Sequence, residues 1–114
     1  MNNIGKFGED EALKFLKKKK YEFVDRNVHS RFGEIDLIVK NKKYIVFVEV
    51  KSQKQNPFVS GGEKINSAKM HKFKNTVLLY LQQNETELQP RIDVVEAYFD
   101  DNMKFEFNHI ENAF

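Results

Sequence analysis

The sequence predicts an α/β fold, a central mixed β-sheet flanked by helices in the order α-β-β-β-α-β-β. Three observations carry this. A helical apolar stripe opens the chain, three strand-like segments follow with no helix between them, and a second long helical pattern precedes two more strands.

From about Lys6 to Lys20, Phe7, Ala12, Leu13, Phe15 and Leu16 recur at helical spacing. Lys17 to Lys20 close this helix, where the negative end of the dipole favours cations. Tyr21 to His29 mixes β-branched and aromatic residues with polar ones and reads as a strand. Gly33 opens a second strand, Glu34 to Lys40, and the polar turn Asn41-Lys42-Lys43 leads into a third, Tyr44 to Lys51. That third strand is apolar from Tyr44 to Val48, as expected of a strand covered on both faces. Asn56-Pro57 and Gly61-Gly62 mark a loop. A long helix from about Lys64 to Gln83 carries Phe73, Val77, Tyr80 and Leu81 on one side. After Pro90, strands over Arg91 to Phe99 and Lys104 to His109 are joined by a turn at Asp100-Asp101-Asn102. Tyr80, Phe99, Phe105 and Phe107 are expected to fill the core.

The 114 residues match one ordinary domain, 1–114, and hold enough apolar material to fold without a metal or disulfide staple. Cysteine is absent, which excludes disulfides and thiolate metal sites and fits a cytoplasmic location. The first residues have no apolar segment of the kind a signal peptide carries, and the apolar run Tyr44 to Val48 is too short to span a bilayer. No membrane partner is expected. A formal charge of +2 neither demands nor excludes nucleic acid, because the distribution of charge matters more than its sum.

Residues two apart on a strand share a face, so Glu49 and Lys51 project together from the end of the buried run. Counting outward from the Asn41-Lys42-Lys43 turn brings Asp36 of the preceding strand close to Glu49, while a one-residue slip of register would put it on the opposite face. Two facing carboxylates in a half-buried place require a shared proton, a basic partner or a bound cation. Oxygen donors with an open side suit Mg²⁺ or Mn²⁺, and a neighbouring lysine completes the chemistry needed to hydrolyse a phosphodiester. The plainer alternative is an ordinary Glu49–Lys51 ion pair at a solvated strand end. Glu9 lies three, four and seven residues before Ala12, Leu13 and Leu16, so it shares the apolar stripe and points at the sheet; a first-turn glutamate favoured by the dipole is the other reading. Glu34 alternates onto the face of Asp36 and serves either the site or the bend after Gly33. Lys69 and Lys72 flank the stripe of the second helix as phosphate contacts or as snorkelling side chains. The Lys17 to Lys20 run is either a nucleic-acid contact or a solvated helix end. His29, His71 and His109 lack zinc-ligand spacing, and Gly61-Gly62 lacks the signature of a nucleotide loop.

At these residues the chain resembles the YraN-like family of small bacterial proteins, whose fold is similar to the restriction-endonuclease core, also called PD-(D/E)xK, and to archaeal Holliday-junction resolvases. The matching segments are Gly8-Glu9 with Ala12, Asn27, Gly33-Glu34-Ile35-Asp36-Leu37-Ile38, Phe47-Val48-Glu49-Val50-Lys51, Lys69 and Lys72, Arg91-Ile92-Asp93-Val94-Val95, and Asn112-Ala113-Phe114. The resemblance spans essentially the whole chain. It implies metal binding by Asp36 and Glu49, with Glu9 joining as in resolvase-like nucleases, and Lys51 as the catalytic lysine. Gln53 stands where the family more often has arginine, which leaves a hydrogen-bonding group without charge at a place that could meet a phosphate.

The expected function is metal-dependent hydrolysis of phosphodiester bonds in branched or otherwise structured DNA. The alternatives are a non-catalytic nucleic-acid-binding module on the same fold and a protein–protein adaptor. Resolvase-like relatives act as dimers, so a homodimer is the expected assembly.

Overall fold

The computed structural model describes residues 4–55 and 67–113. Its elements are α1 (Ile4–Lys18), β1 (Glu22–Ser30), β2 (Gly33–Lys40), β3 (Tyr44–Lys54), α2 (Ser67–Gln83), β4 (Gln89–Phe99) and β5 (Phe105–Ile110), the order expected from the sequence. The strands form one sheet in the order β1-β2-β3-β4-β5. β3 and β4 are parallel and the other neighbours antiparallel. A parallel pair needs a long crossover, and α2 lies within it. The expected loop at Asn56-Pro57 and Gly61-Gly62, and the expected helix start at Lys64, lie outside the described residues. Among the described residues no helix is long and apolar enough to cross a membrane.

Helix α1 buries Gly8, Ala12 and Leu16, spaced four apart along one face. It stops because Lys20 turns into the left-handed region at φ 75°. The Lys20 N–H then reaches the Lys17 carbonyl at 3.0 Å and the Tyr21 N–H reaches the Leu16 carbonyl at 3.2 Å. This is a Schellman ending, and its usual apolar contact is present because Leu16 and Tyr21 pack in the same cluster. The turn between β2 and β3 is built by Asn41, whose Oδ1 accepts the N–H groups of Lys43 at 2.9 Å and Tyr44 at 2.7 Å.

The central position of β3 explains its unbroken apolar run. Val46 and Val48 pack beneath α1 with Leu37, Val39 and Val95, while Ile45 and Phe47 pack beneath α2 with Met70, Phe73 and Val77. The strand continues to Lys54, three residues past the expected end, because its parallel ladder with β4 runs on to the Lys54–Phe99 pair.

Two core expectations need correction. Phe7 was placed in the α1 stripe but is 41% exposed, and its ring meets Phe105 of β5 at 5.5 Å. Its place on the inner face is taken by Gly8, where α1 comes too close to β3 for any side chain. Of Tyr80, Phe99, Phe105 and Phe107, Phe99 alone is buried. Tyr80 and Phe107 cover the margins of the two clusters, and Phe105 of the edge strand β5 stacks on Phe107 and meets Phe99 of β4 at a tilt. The interior is chiefly aliphatic.

Candidate functional site

Asp36 stands where β2 and β3 part. Their last backbone pair is Leu37 with Val48. Beyond it the Val50 N–H donates to Asp36 Oδ2 at 2.8 Å, so a side chain takes the place of the next ladder bond. On the other side of β2, Asn27 falls between the Arg26–Leu37 and Val28–Ile35 pairs and adopts φ 51°, a conformation asparagine tolerates better than most residues. The strand alternation changes here. Ile35 packs with the α2 cluster, whereas Leu37 packs with the α1 cluster.

Glu9 approaches from α1, brought in by the close contact at Gly8. A Cβ on Gly8 would lie 1.8 Å from Ser52 Oγ and 2.9 Å from Ser52 Cβ, so this turn of the helix rests directly on β3. Glu9 Oε1 accepts the side-chain amide of Asn27 at 3.0 Å and Arg26 Nη2 at 3.3 Å. The same Asn27 nitrogen donates to Glu34 Oε1 at 2.9 Å, bridging the two glutamates. Arg26 Nη1 also holds Asp10 at 2.7 Å. One oxygen from each of Glu9, Glu34 and Asp36 lies within 4.8 Å of the others.

Glu49 is the first polar residue after the buried run of β3, and its side chain is 4% exposed. It lies on the Ile45 and Phe47 face, facing Asp36, and forms an ion pair with Lys69 of α2. The ordinary Glu49–Lys51 pair considered from sequence is therefore replaced by Glu49–Lys69. Phe32, Gly33, Glu34, Asp36, Glu49, Lys69, Lys72 and Phe73 line a cleft of about 280 Å³.

Burial pushes the Asp36 carboxyl up to about 8, with the nearby Glu49 carboxylate as the second cause and Glu9 as a lesser one. The Val50 N–H opposes the shift without cancelling it. Asp36 thus keeps its proton at neutral pH when no cation is present.

The structure brings together most of the residues singled out from sequence. Asp36, Glu49, Lys69 and Lys72 line one cleft together with Glu34, and Glu9 adjoins it through its closeness to Glu34 and Asp36. Lys51 follows Glu49 on the same face, half-buried, with its backbone beside Glu96 of β4. Gln53 lies four residues past Glu49, about 13 Å along the strand, and is not gathered into the carboxylate cluster. Of the expected metal set, Asp36 and Glu9 fall in a group of three mutually close carboxylates with Glu34, while Glu49 adjoins Asp36 and carries the Lys69 ammonium. These are all oxygen donors, so the chemistry fits a hard divalent cation such as Mg²⁺ or Mn²⁺.

Sequence reasoning missed Asn27 as the bridge and Arg26 as the counter-charge. It also missed a second polar network beneath α1. Asp93 is fully buried on β4 and accepts Arg91 Nε at 2.9 Å, Arg91 Nη2 at 2.8 Å and the Asn112 N–H at 3.0 Å. His109 Nε2 lies 2.7 Å from Asp93 Oδ2, and Lys19 Nζ lies 2.6 Å from His109 Nδ1. Arg91 also donates to the Tyr21 hydroxyl at 2.6 Å. Burial alone would raise the Asp93 carboxyl, but the hydrogen bonds from His109 and Arg91 outweigh it and hold the group below its ordinary range. The Arg91-x-Asp93 spacing on one strand face was the available signal. This network ties β4, β5, the end of α1 and the segment after β5 together, away from the carboxylate cleft.

The chain is thus an α/β protein with a carboxylate-lined cleft at the fork between two antiparallel strands of a mixed sheet. Comparison with known sequences gives the family. The model of uncharacterised protein family UPF0102 matches residues 8–97, and the chain belongs to that family, the one the YraN-like resemblance indicated. A UPF0102 protein of Syntrophomonas wolfei is 39% identical over 113 residues, covering 97% of this chain and 96% of the relative. Another, from Flavobacterium psychrophilum, is 34% identical over 113 residues, covering 99% and 94%. One from Neisseria meningitidis serogroup C is 45% identical over 92 residues, covering 80% of each.

Proposed function

We propose that this protein is a divalent-metal-dependent endonuclease, with a restriction-endonuclease-like core, that hydrolyses phosphodiester bonds in branched or otherwise structured DNA. The observation that carries the reading is the opposition of Asp36 and Glu49 at the strand fork, with Lys51 following on the same face. Burying two facing carboxyls is costly, and this fold meets the cost with a proton on Asp36 and the Lys69 ammonium on Glu49, groups a bound cation could replace.

Glu9, Glu34 and Asp36 would hold the cation, with Glu49 completing the set. When bound, Mg²⁺ or Mn²⁺ supplies Lewis acidity and positive charge toward a phosphodiester. Asn27 fixes the orientations of Glu9 and Glu34, and the Val50 N–H fixes that of Asp36. The Lys51 ammonium orients the attacking water and offsets charge that develops on the phosphate. Lys69 and Lys72, which line the cleft, would meet backbone phosphates, and a two-fold dimer would present two such clefts to a four-way junction.

The competing reading is a nucleic-acid-binding module without turnover. In its favour, Lys69 already neutralises Glu49, so the fold manages that charge with no metal. Incubation with linear, flapped and four-way DNAs in Mg²⁺ or Mn²⁺ separates the two. The endonuclease reading expects cleavage that chelation stops and that Asp36→Asn or Glu49→Gln removes. Tight binding of junction DNA by purified protein, with every substrate left intact, would support the module instead.

A further inference from the structure

Lys69 is the cation found on Glu49, and the two partners are unequally placed. The Glu49 side chain is 4% exposed and the Lys69 side chain 58% exposed. A buried carboxylate that loses its counter-charge must take up a proton or another cation, whereas a lysine on a long flexible stem is rehydrated easily. A divalent ion is therefore able to take the place of Lys69, and Glu49 faces the carboxyl of Asp36, the member that the Glu9 and Glu34 oxygens adjoin. An ammonium and a divalent ion on one carboxylate repel each other. Lys72, one helical turn further along α2, lines the same cleft, so a released Lys69 would stand beside a second ammonium. Two neighbouring ammoniums at a cleft mouth favour a phosphate.

We propose that Lys69 is an exchangeable counter-ion: it holds Glu49 in the metal-free protein and is displaced by the divalent ion to the rim, where it binds substrate phosphate together with Lys72. Metal loading and readiness for substrate are then one event. This inference rests on the metal-dependent reading above. It makes Lys69 a positioning residue whose effect is visible without any cleavage.

Calorimetric titration of the full chain with Mn²⁺, wild type against Lys69→Met, measures the competition. Removing the resident cation should tighten Mn²⁺ binding roughly tenfold, the gain expected if the ion-competent state is about one tenth populated. A second measurement needs no variant. Acylation of wild-type lysines, read by mass spectrometry, should speed up several-fold at Lys69 when Mn²⁺ is added, with the exposed turn residue Lys42 as the unchanged control. Mn²⁺ binding with Lys69 acylation unaltered, or a Lys69→Met protein that folds and binds no tighter, would overturn the inference and leave the metal site standing. Failure of Mn²⁺ to bind either protein would overturn both.

Discussion

The Asp36 carboxyl and the Val50 amide replace a rung of the β2–β3 ladder, joined by a 2.8 Å hydrogen bond just past the last backbone pair. This bond lets the strands diverge without orphaning a buried N–H, and it holds Asp36 beside Glu9, Glu34 and Glu49. The fork and the candidate site are thus one structural feature.

Asp36→Asn keeps an oxygen for the Val50 amide and removes the charge, so its effect reports electrostatics. The folded carboxyl titrates at about 8 against an ordinary 3.8. The native state therefore holds a proton that the unfolded chain releases between those values. The native protein loses stability as pH rises through that window. Metal-free Asp36→Asn should melt above wild type at pH 8, by a difference on the order of a few kcal/mol, and close to it near pH 4. Thermal unfolding at the two pH values checks this; a wild type equal to the variant at pH 8 would mean that Asp36 is not strained by its neighbours.

Gly8 sets the approach of α1 to β3. Gly8→Ala places a methyl 1.8 Å from Ser52 Oγ, and rotating the hydroxyl away still leaves Ser52 Cβ at 2.9 Å. The helix must lift, at a cost of about 1–3 kcal/mol, and Glu9 must shift with it. Denaturant titration should show the loss, and Ser52→Gly in the same chain should recover part of it. A Gly8→Ala protein as stable as wild type would show that the helix is not seated on Ser52.

Asp93 should matter to stability and not to the cleft chemistry. Asp93→Asn breaks a buried charge pair with Arg91, and the expected loss is about 3–5 kcal/mol. Because the folded Asp93 carboxyl lies below its ordinary value, its contribution is present above about pH 4 and disappears as pH falls through the lower folded value. The gap between wild type and variant should therefore narrow on acidification. Equal melting at pH 7 would place Asp93 outside the framework.

The element order and the Asp36–Glu49 approach were legible in sequence because both follow from local rules. A three-residue turn fixes the hairpin count, and strand alternation fixes the face. The Asn27 bridge was not legible, since it depends on a left-handed residue inside a strand that breaks the alternation on which the reading relied. Nor was the Glu49–Lys69 pair, which depends on how α2 is phased over the sheet. The Arg91–Asp93 pair adjoins in sequence, but its partners Tyr21, His109 and Asn112 come from three other places in the chain. Gln53 follows Glu49 and Lys51 in the alternation of β3, about 13 Å along the strand from Glu49.

Lys51→Ala asks whether this lysine takes part in hydrolysis, with cleavage and affinity measured on the same junction DNA in Mg²⁺ or Mn²⁺. If Lys51 acts in the chemical step, cleavage disappears while most affinity survives, because affinity comes chiefly from dispersed phosphate contacts. A variant that cuts as fast as wild type, or one that only melts earlier while its DNA transactions are unaltered, would contradict the assignment.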